Sequence, residues 1–527
     1  MKNKFIYLAA VLTIVVSCKK TYLDHPSANN PTGDTYYNTA ADVQGGTGYL
    51  YNSVWYDFQD KAFHSIGEAL GGNMLTETGP NYGAGSYIYF TVLSTDPLVA
   101  SSWQSLYKVA GNATVLINTF KEKQKTLADA PFLVQGIAEA RFIRGAAYFY
   151  IARVFGDAPI VEDPVALAGS GDYNVPRYLQ KDVLRFALED FKYAEQHLPA
   201  DPSQVGRVTK YSAAGMMAKL YLYRGDYDSA KTAASEVINS NKYSLYTDYQ
   251  QMFTSSAANN NNESLFALQW SAAGGYGYAN PIQVYAAPST LLKPVVNTGY
   301  NSVYPTLDLL ASYAPGDKRR AWSIMEHGFT RPDWKNANFP NGFKYDTSGT
   351  TYEDATHFRN GTRSSSLKYI VGPGSNGEKL SDNGSTDICT YILRYADVLL
   401  IYAEAVLGNN ASTSDASALT AFNKVHNRNH NFSDVPLASL TKDIILHERR
   451  VEFAFEGDYW FDVQRQGYAK AKQIINAQER GQLSGDGSTI NHLAANFNSP
   501  SQLFLPIPQS ETVADPRLNQ PAVAYYQ

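Results

Sequence analysis

The sequence predicts a mainly α fold: paired helices in the first half and near the C-terminal end, with a loop-rich irregular half between and around them. Apolar residues recur at spacings of three and four over long stretches, the signature of a buried helix face. Small residues answer one another across a break at Gly225–Asp226, and prolines and glycines punctuate residues 241–388.

Residues 21–47 contain Pro26, Pro31, Gly33 and several Asn and Thr, and read as a tether. Trp103, Leu106, Val109, Ala110, Ala113, Leu116 and Ile117 then mark one helix face, which assigns Trp103 to helix packing. Pro131 near the start and Gly156 just past the end bound a long helix over 131–155. Residues 181–198 repeat the pattern through Leu184, Ala187, Phe191, Ala194 and Leu198. A helix over 213–224 carries Ala213, Ala214, Gly215 and Ala218, small enough for close contact, and Ala230, Ala233 and Ala234 answer on a second helix over 227–239. The piece from Leu220 to Ala230 looks like the turn of a tetratricopeptide repeat, without a strict repeat period of about 34 residues along the chain. Helix pairs of this kind stack into short solenoids.

From 241 to 388 the chain reads as loop with short strand pieces, too long for a plain connector. Gly274, Gly275 and Gly277 interleave there with Tyr276 and Tyr278. Long irregular segments on a rigid scaffold commonly carry function. Helix returns over 391–407, 415–427 and 442–455, with Gly408 and Gly457 where helix-ending glycines belong.

At the start, Lys2 and Lys4 precede a mostly apolar run from Phe5 to Val16, closed by Ser17 and Cys18. That is the layout of a secretory signal. The run is shorter than the about 20 apolar residues a membrane span needs. A Cys directly after the small residue resembles the lipobox of bacterial lipoproteins, so Cys18 is the expected lipidation site and residues 1–17 the expected signal peptide. Acylation there would anchor the chain to a membrane without spanning it.

Composition narrows the function. A hydrophobic fraction of 44% against 18% charged residues predicts a packed core. The formal charge of −5 is mild and no basic block is present, which argues against nucleic acid. Cys18 and Cys389 are the two cysteines; with Cys18 acylated, Cys389 has no partner, and a buried apolar role is expected for it. The 39 tyrosines outnumber the 24 Phe and 6 Trp. Tyr offers a flat apolar face and one polar tip, a combination that suits half-wet grooves and the C–H faces of sugars.

The charged strings read as structural. His447-Glu448 is not followed by a second His at zinc-protease spacing. Glu448 and Glu452 are i and i+4 on one helix with Arg449 and Arg450 between them, which predicts a buried ion network reaching Arg394, Asp397 or Asp462. Arg141 and Arg144 are expected to act similarly. No Gly-x-Ser-x-Gly elbow, phosphate loop or CxxC is present, and no carboxylate pair stands out for glycoside hydrolysis. No enzyme activity, cofactor or metal is expected.

Several strings, in order, carry a family resemblance. They are Tyr22-Leu-Asp24, Ala140-Arg-Phe-Ile-Arg-Gly-Ala-Ala-Tyr-Phe-Tyr150 leading into Phe155-Gly-Asp-Ala-Pro-Ile160, and Arg207-Val-Thr-Lys-Tyr-Ser-Ala-Ala214. Arg394 to Glu404, Glu448 to Gly457, Trp460-Phe-Asp462 and Leu505-Pro-Ile-Pro508 follow. Together with the lipobox they resemble the SusD/RagB family of Bacteroidota outer-membrane lipoproteins over nearly the whole mature chain. The resemblance implies a SusD-like fold of tetratricopeptide-like helix pairs with an irregular ligand-binding half. It divides the chain into the signal peptide 1–17, an N-terminal helical region 18–245 and a C-terminal region 246–527. It further implies a cell-surface protein that captures a glycan and passes it to a TonB-dependent barrel transporter of the SusC type. An oligopeptide ligand, as in RagB-like members, and a helical scaffold without ligand are the alternatives. Lys19 and Lys20 follow Cys18 where some members carry acidic residues as a surface-export signal.

Two loops are expected to form an aromatic platform for the ligand. One is Asn81 to Tyr87, with Asn81, Tyr82 and Tyr87 as candidates; the other runs from Trp270 through Tyr276 and Tyr278 towards Tyr285 and Tyr300. Trp334 and Trp322 are further candidates. On this reading Trp270→Ala and Tyr82→Ala each weaken binding without unfolding the protein.

Overall fold

The computed structural model describes residues 36–527 apart from 77–81, 128, 203, 294, 349–356 and 429–435. The signal segment, Cys18, Tyr22 to Asp24 and Asn81 lie outside the described residues.

The scaffold is a stack of helices in chain order. α1 is Ala40–Gly48, α2 Pro97–Gln124, α3 Pro131–Phe155, α4 Gln180–His197, α5 Lys210–Tyr223 and α6 Tyr227–Asn239. After the irregular segment come α7 Tyr395–Leu407, α8 Ala416–His426 and α9 Lys442–Glu452. Each helix from α2 to α6 packs mainly on its neighbours, except that α6 packs on α7 across the whole intervening segment. The array is thus continuous in space although interrupted in sequence, and it crosses position 245.

Local chemistry sets the helix ends. Asp96 caps α2 through the Leu98 amide, with Pro97 in the first turn where its missing N–H is harmless. Thr209 and Ser212 form a reciprocal cap on α5, and Asp226 caps α6 after the Gly225 turn. α3 is buried on nearly all faces, as expected for a helix apolar all round. It approaches α4 closely: a Cβ on Gly145 would stand 3.0 Å from the Ala187 carbonyl oxygen.

Several boundaries differ from the sequence reading: α5 starts at Lys210, three residues before the expected 213, because the Thr209 cap lies there, and α4 and α8 are offset by one residue at their ends. The expected tether ends earlier, because Thr39 and Asp42 form a capping box that starts α1. The helix expected from 391 begins at Tyr395, because Thr390–Arg394 is a strand. α9 ends at Glu452, and Phe455 beyond it takes a left-handed φ of 66°. With β1 as Met74–Thr76, β2 as Ser264–Leu268, β3 as Val303–Pro305 and β4 as Thr390–Arg394, two antiparallel pairs stitch the irregular segment to the scaffold. β2 runs against β4 from Ser264 opposite Arg394 to Leu268 opposite Thr390, and β1 runs against β3.

The expected ion network is present and buried. Arg449 Nη1 meets Asp397 Oδ1 and Arg449 Nε meets Asp462 Oδ2, each at 2.7 Å. Arg394 Nη1 contacts Glu263 at 2.6 Å and Glu452 at 2.8 Å, and Arg428 and Arg319 also reach Glu452. Burial opposes charge on Glu452, yet Arg428, Arg394 and Arg319 outweigh it and hold the carboxyl well below the usual carboxylate range. Arg144 pairs with Asp190 through two bonds of 2.7 and 2.8 Å, joining α3 to α4. Cys389 is buried and unpaired, and burial pushes its thiol up to about 11.

Candidate ligand-binding face

The irregular segment brings its tyrosines to a short stretch of chain before α2. Phe58–Ala62 and Ser65–Ala69 are π-helical turns, a rare geometry often found at functional sites. Tyr56 and Asp60 lie four residues apart, and the Asp60 charge acts on the Tyr56 hydroxyl. The Tyr56 ring meets Tyr276 edge-on at 5.1 Å between centroids, and Trp270 at 6.3 Å. On the other side Tyr285 donates its hydroxyl to Asp60 Oδ1 at 2.7 Å. Tyr300 stacks on Tyr285 at 6.1 Å with 28° between the rings, and Tyr82 meets Tyr285 edge-on at 5.1 Å. The Lys61 ammonium sits 5.4 Å from the Tyr285 centroid.

Both expected loops therefore contribute to one cluster, but with different roles. Tyr276 is 75% exposed, Tyr278 48% and Tyr300 39%, with Tyr285 half-buried beside them. These rings form the open face. Tyr82 and Tyr87 are buried, which corrects their assignment as exposed platform rings. Tyr82 donates to the Lys61 carbonyl and supports Tyr285 from beneath, whereas Tyr87 lies beside Asp96 at the start of α2. Trp270 is buried too, its indole N–H given to Thr390 Oγ1 at 2.9 Å. Trp334 is fully buried, under the Arg331 guanidinium and against Phe343. A Cβ on Gly372 would lie 2.7 Å from its indole ring. Trp322 is half-buried against Tyr249.

The 271–278 turn is held by its backbone. Ser271 N donates to the Tyr278 carbonyl at 2.8 Å, and the Asn52 amide bonds the carbonyls of Gln269 and Tyr278. Gly275 and Gly277 take φ of 74° and 85°, so that Tyr276 stands out between them. Burial raises the Asp60 carboxyl from its ordinary value, against the hydroxyl of Tyr285 and the charge of Lys61, which lower it. The face thus offers apolar ring surfaces, one charged acceptor and one cation. Among the described residues no group of three or more His, Cys, Asp or Glu side chains is placed to hold a metal ion. No helix among them is long and apolar enough to cross a membrane.

Asn52, Tyr56, Asp60 and Lys61 were not singled out from the sequence. The signal that could have found them is the aromatic–carboxylate pair at i and i+4.

A stacked-helix scaffold with an open tyrosine face held by a loop-rich segment defines a helical-repeat protein suited to binding. The chain belongs to the SusD family: the model described as "SusD family" matches residues 236–526, and that described as "Starch-binding associating with outer membrane" matches 82–222. A SusD-like protein of Bacteroides ovatus is 29% identical, covering 100% of this chain and 98% of its own. A crystal structure with xylogluco-oligosaccharide is 29% identical with a TM-score of 0.79, covering 92% of this chain and 99% of its own. A laminarin-binding SusD-like protein, 20% identical with a TM-score of 0.69 over 91% of this chain and 98% of its own, shares the fold.

Proposed function

We propose that this protein captures an oligosaccharide on the Tyr276–Tyr278–Tyr285–Tyr300 face and delivers it to a SusC-like TonB-dependent barrel. Cys18 would hold it to the outer membrane by a lipid anchor, facing outward. The observation that carries the reading is the open tyrosine face itself, on a chain of this family. Sugar rings stack their C–H faces on such rings, while Asp60 and Lys61 lie beside them to meet hydroxyls. The similarity to a structure that contains xylogluco-oligosaccharide supports the ligand class.

Aromatic contacts of this kind contribute about 0.5–1.5 kcal/mol each beyond area burial. A few of them with several hydrogen bonds give roughly micromolar to millimolar affinity, weak enough to hand the ligand on. Calorimetry of the purified protein against a panel of oligosaccharides tests this. Binding of at least one, lost in a Tyr276→Ala Tyr300→Ala double variant that melts normally, is the expected result. Binding of an oligopeptide instead, or of a glycan unaffected by the double variant, would overturn the assignment of the face. Membrane fractionation of Cys18→Ala tests the anchor, and release from the membrane is expected. Co-purification of a barrel protein with the wild-type chain tests the transporter.

A further inference from the structure

Asp60 is the acidic group at the heart of the face. It is half-buried between Tyr56 and Tyr285, and only one of its oxygens is used: Oδ1 accepts from Tyr285, while Oδ2 has no hydrogen-bond partner among the described residues. The hydroxyls around it are already committed. Tyr285 donates to Asp60 itself and Tyr82 donates to the Lys61 carbonyl. The charges within this turn are Asp57, Asp60 and Lys61, so the carboxylates outnumber the ammonium. A half-buried carboxylate with a vacant acceptor is poorly solvated and takes a donor strongly, because charge-assisted hydrogen bonds are about twice as strong as neutral ones. A second carboxylate brought beside it meets like-charge repulsion in a partly dry site.

We propose that Asp60 determines the specificity of the face: it accepts sugar hydroxyls through Oδ2, admits neutral glycans and turns away glycans built from uronic acids. This rests on the glycan reading above. Tyr285 acts as a positioning residue, since its hydroxyl fixes the carboxylate between the rings. Lys61 does not reverse the preference, because its ammonium lies over the Tyr285 ring and its charge is already set against Asp60.

The test is calorimetry of the purified wild-type protein, Asp60→Asn and Tyr285→Phe against neutral oligosaccharides, including a xylogluco-oligosaccharide, and against oligogalacturonides. Thermal melts confirm that each variant folds. Wild type is expected to bind a neutral glycan and no oligogalacturonide. Asp60→Asn should weaken the neutral ligand roughly tenfold, about 1.4 kcal/mol, and bring oligogalacturonide binding into range. Tyr285→Phe keeps the ring and the charge, so it should weaken the neutral ligand without admitting the anionic one. Wild-type binding of oligogalacturonide, or a neutral affinity untouched in Asp60→Asn, would overturn the role of Asp60 while leaving glycan capture intact. Wild type that binds neither class overturns both.

Discussion

Tyr276 exposes three-quarters of its surface, whereas Trp270, six positions earlier, is sealed against Tyr56 and Thr390. Substitutions at the two rings should therefore separate. Tyr276→Ala and Tyr278→Ala are each expected to weaken glycan binding several-fold with unchanged melting temperature. Trp270→Ala and Tyr82→Ala are expected to destabilise the fold by about 3–5 kcal/mol, read from urea unfolding. Sequence alone could not make this division, because Tyr and Trp have an apolar body and a polar tip that suit core and surface equally. What buries Trp270 is Thr390 on β4, far away in the chain. Glu68 adds a pH signature. Burial pushes its carboxyl up to about 7, against hydrogen bonds from Asn73 and the Gly457 amide. The folded form then keeps a proton that the unfolded chain releases above its ordinary value of 4.5. Its contribution is fully present below that value and is lost as pH rises through about 7. Glu68→Gln should flatten this limb of a melting-temperature profile, by on the order of 1–3 kcal/mol.

At the scale of elements, the helices were legible and the turns were not. The 131–155 and 227–239 helices match the sequence reading to the residue, since apolar spacing, Pro131 and the Gly225 break all act locally. Residues 391–394 of the strand read as helix in the sequence because their run of apolar residues is periodic either way, and only pairing with β2 decides it. The π-helical turn that carries Asp60 has no periodicity of its own. The charged strings were legible because arginines and carboxylates on one helix need partners wherever they are buried. Arg394→Met strips Glu263, Glu452 and Glu456 of a shared guanidinium, and a loss of about 3–5 kcal/mol in urea unfolding is expected. Because Glu452 is held low, the stability it contributes is present above about its ordinary 4.5 and is lost as pH falls, so acid unfolding should begin at higher pH in that variant. The 271–278 turn offers a contrasting case. Gly277 has a φ of 85° and open space around it, so Gly277→Val strains only the backbone, by about 1–2 kcal/mol. Glycan affinity should fall as Tyr276 and Tyr278 are re-aimed, with little change in cooperative melting.

At the scale of the molecule, one division of labour explains the arrangement. α2 to α7 form a stack whose order follows the chain, α6 on α7 closes it over the irregular segment, and α8 and α9 both pack on α7. That segment is tied to the scaffold at its ends by the β2–β4 pair and in its middle by β1–β3. The face forms where it crosses the turns before α2. The sequence places candidate rings on this segment from glycine–tyrosine alternation and on the loop from Asn81 to Tyr87, but it cannot place Tyr56 and Asp60 opposite, since that contact spans more than 200 positions. The central claim is that glycan binds on this tyrosine face, and a crystal structure of the protein with a bound oligosaccharide tests it most directly. Sugar rings stacked on Tyr276, Tyr278 or Tyr300, with a hydroxyl at Asp60 Oδ2, are the expected result. A glycan bound elsewhere on the helical stack, with these rings still open to solvent, would contradict it.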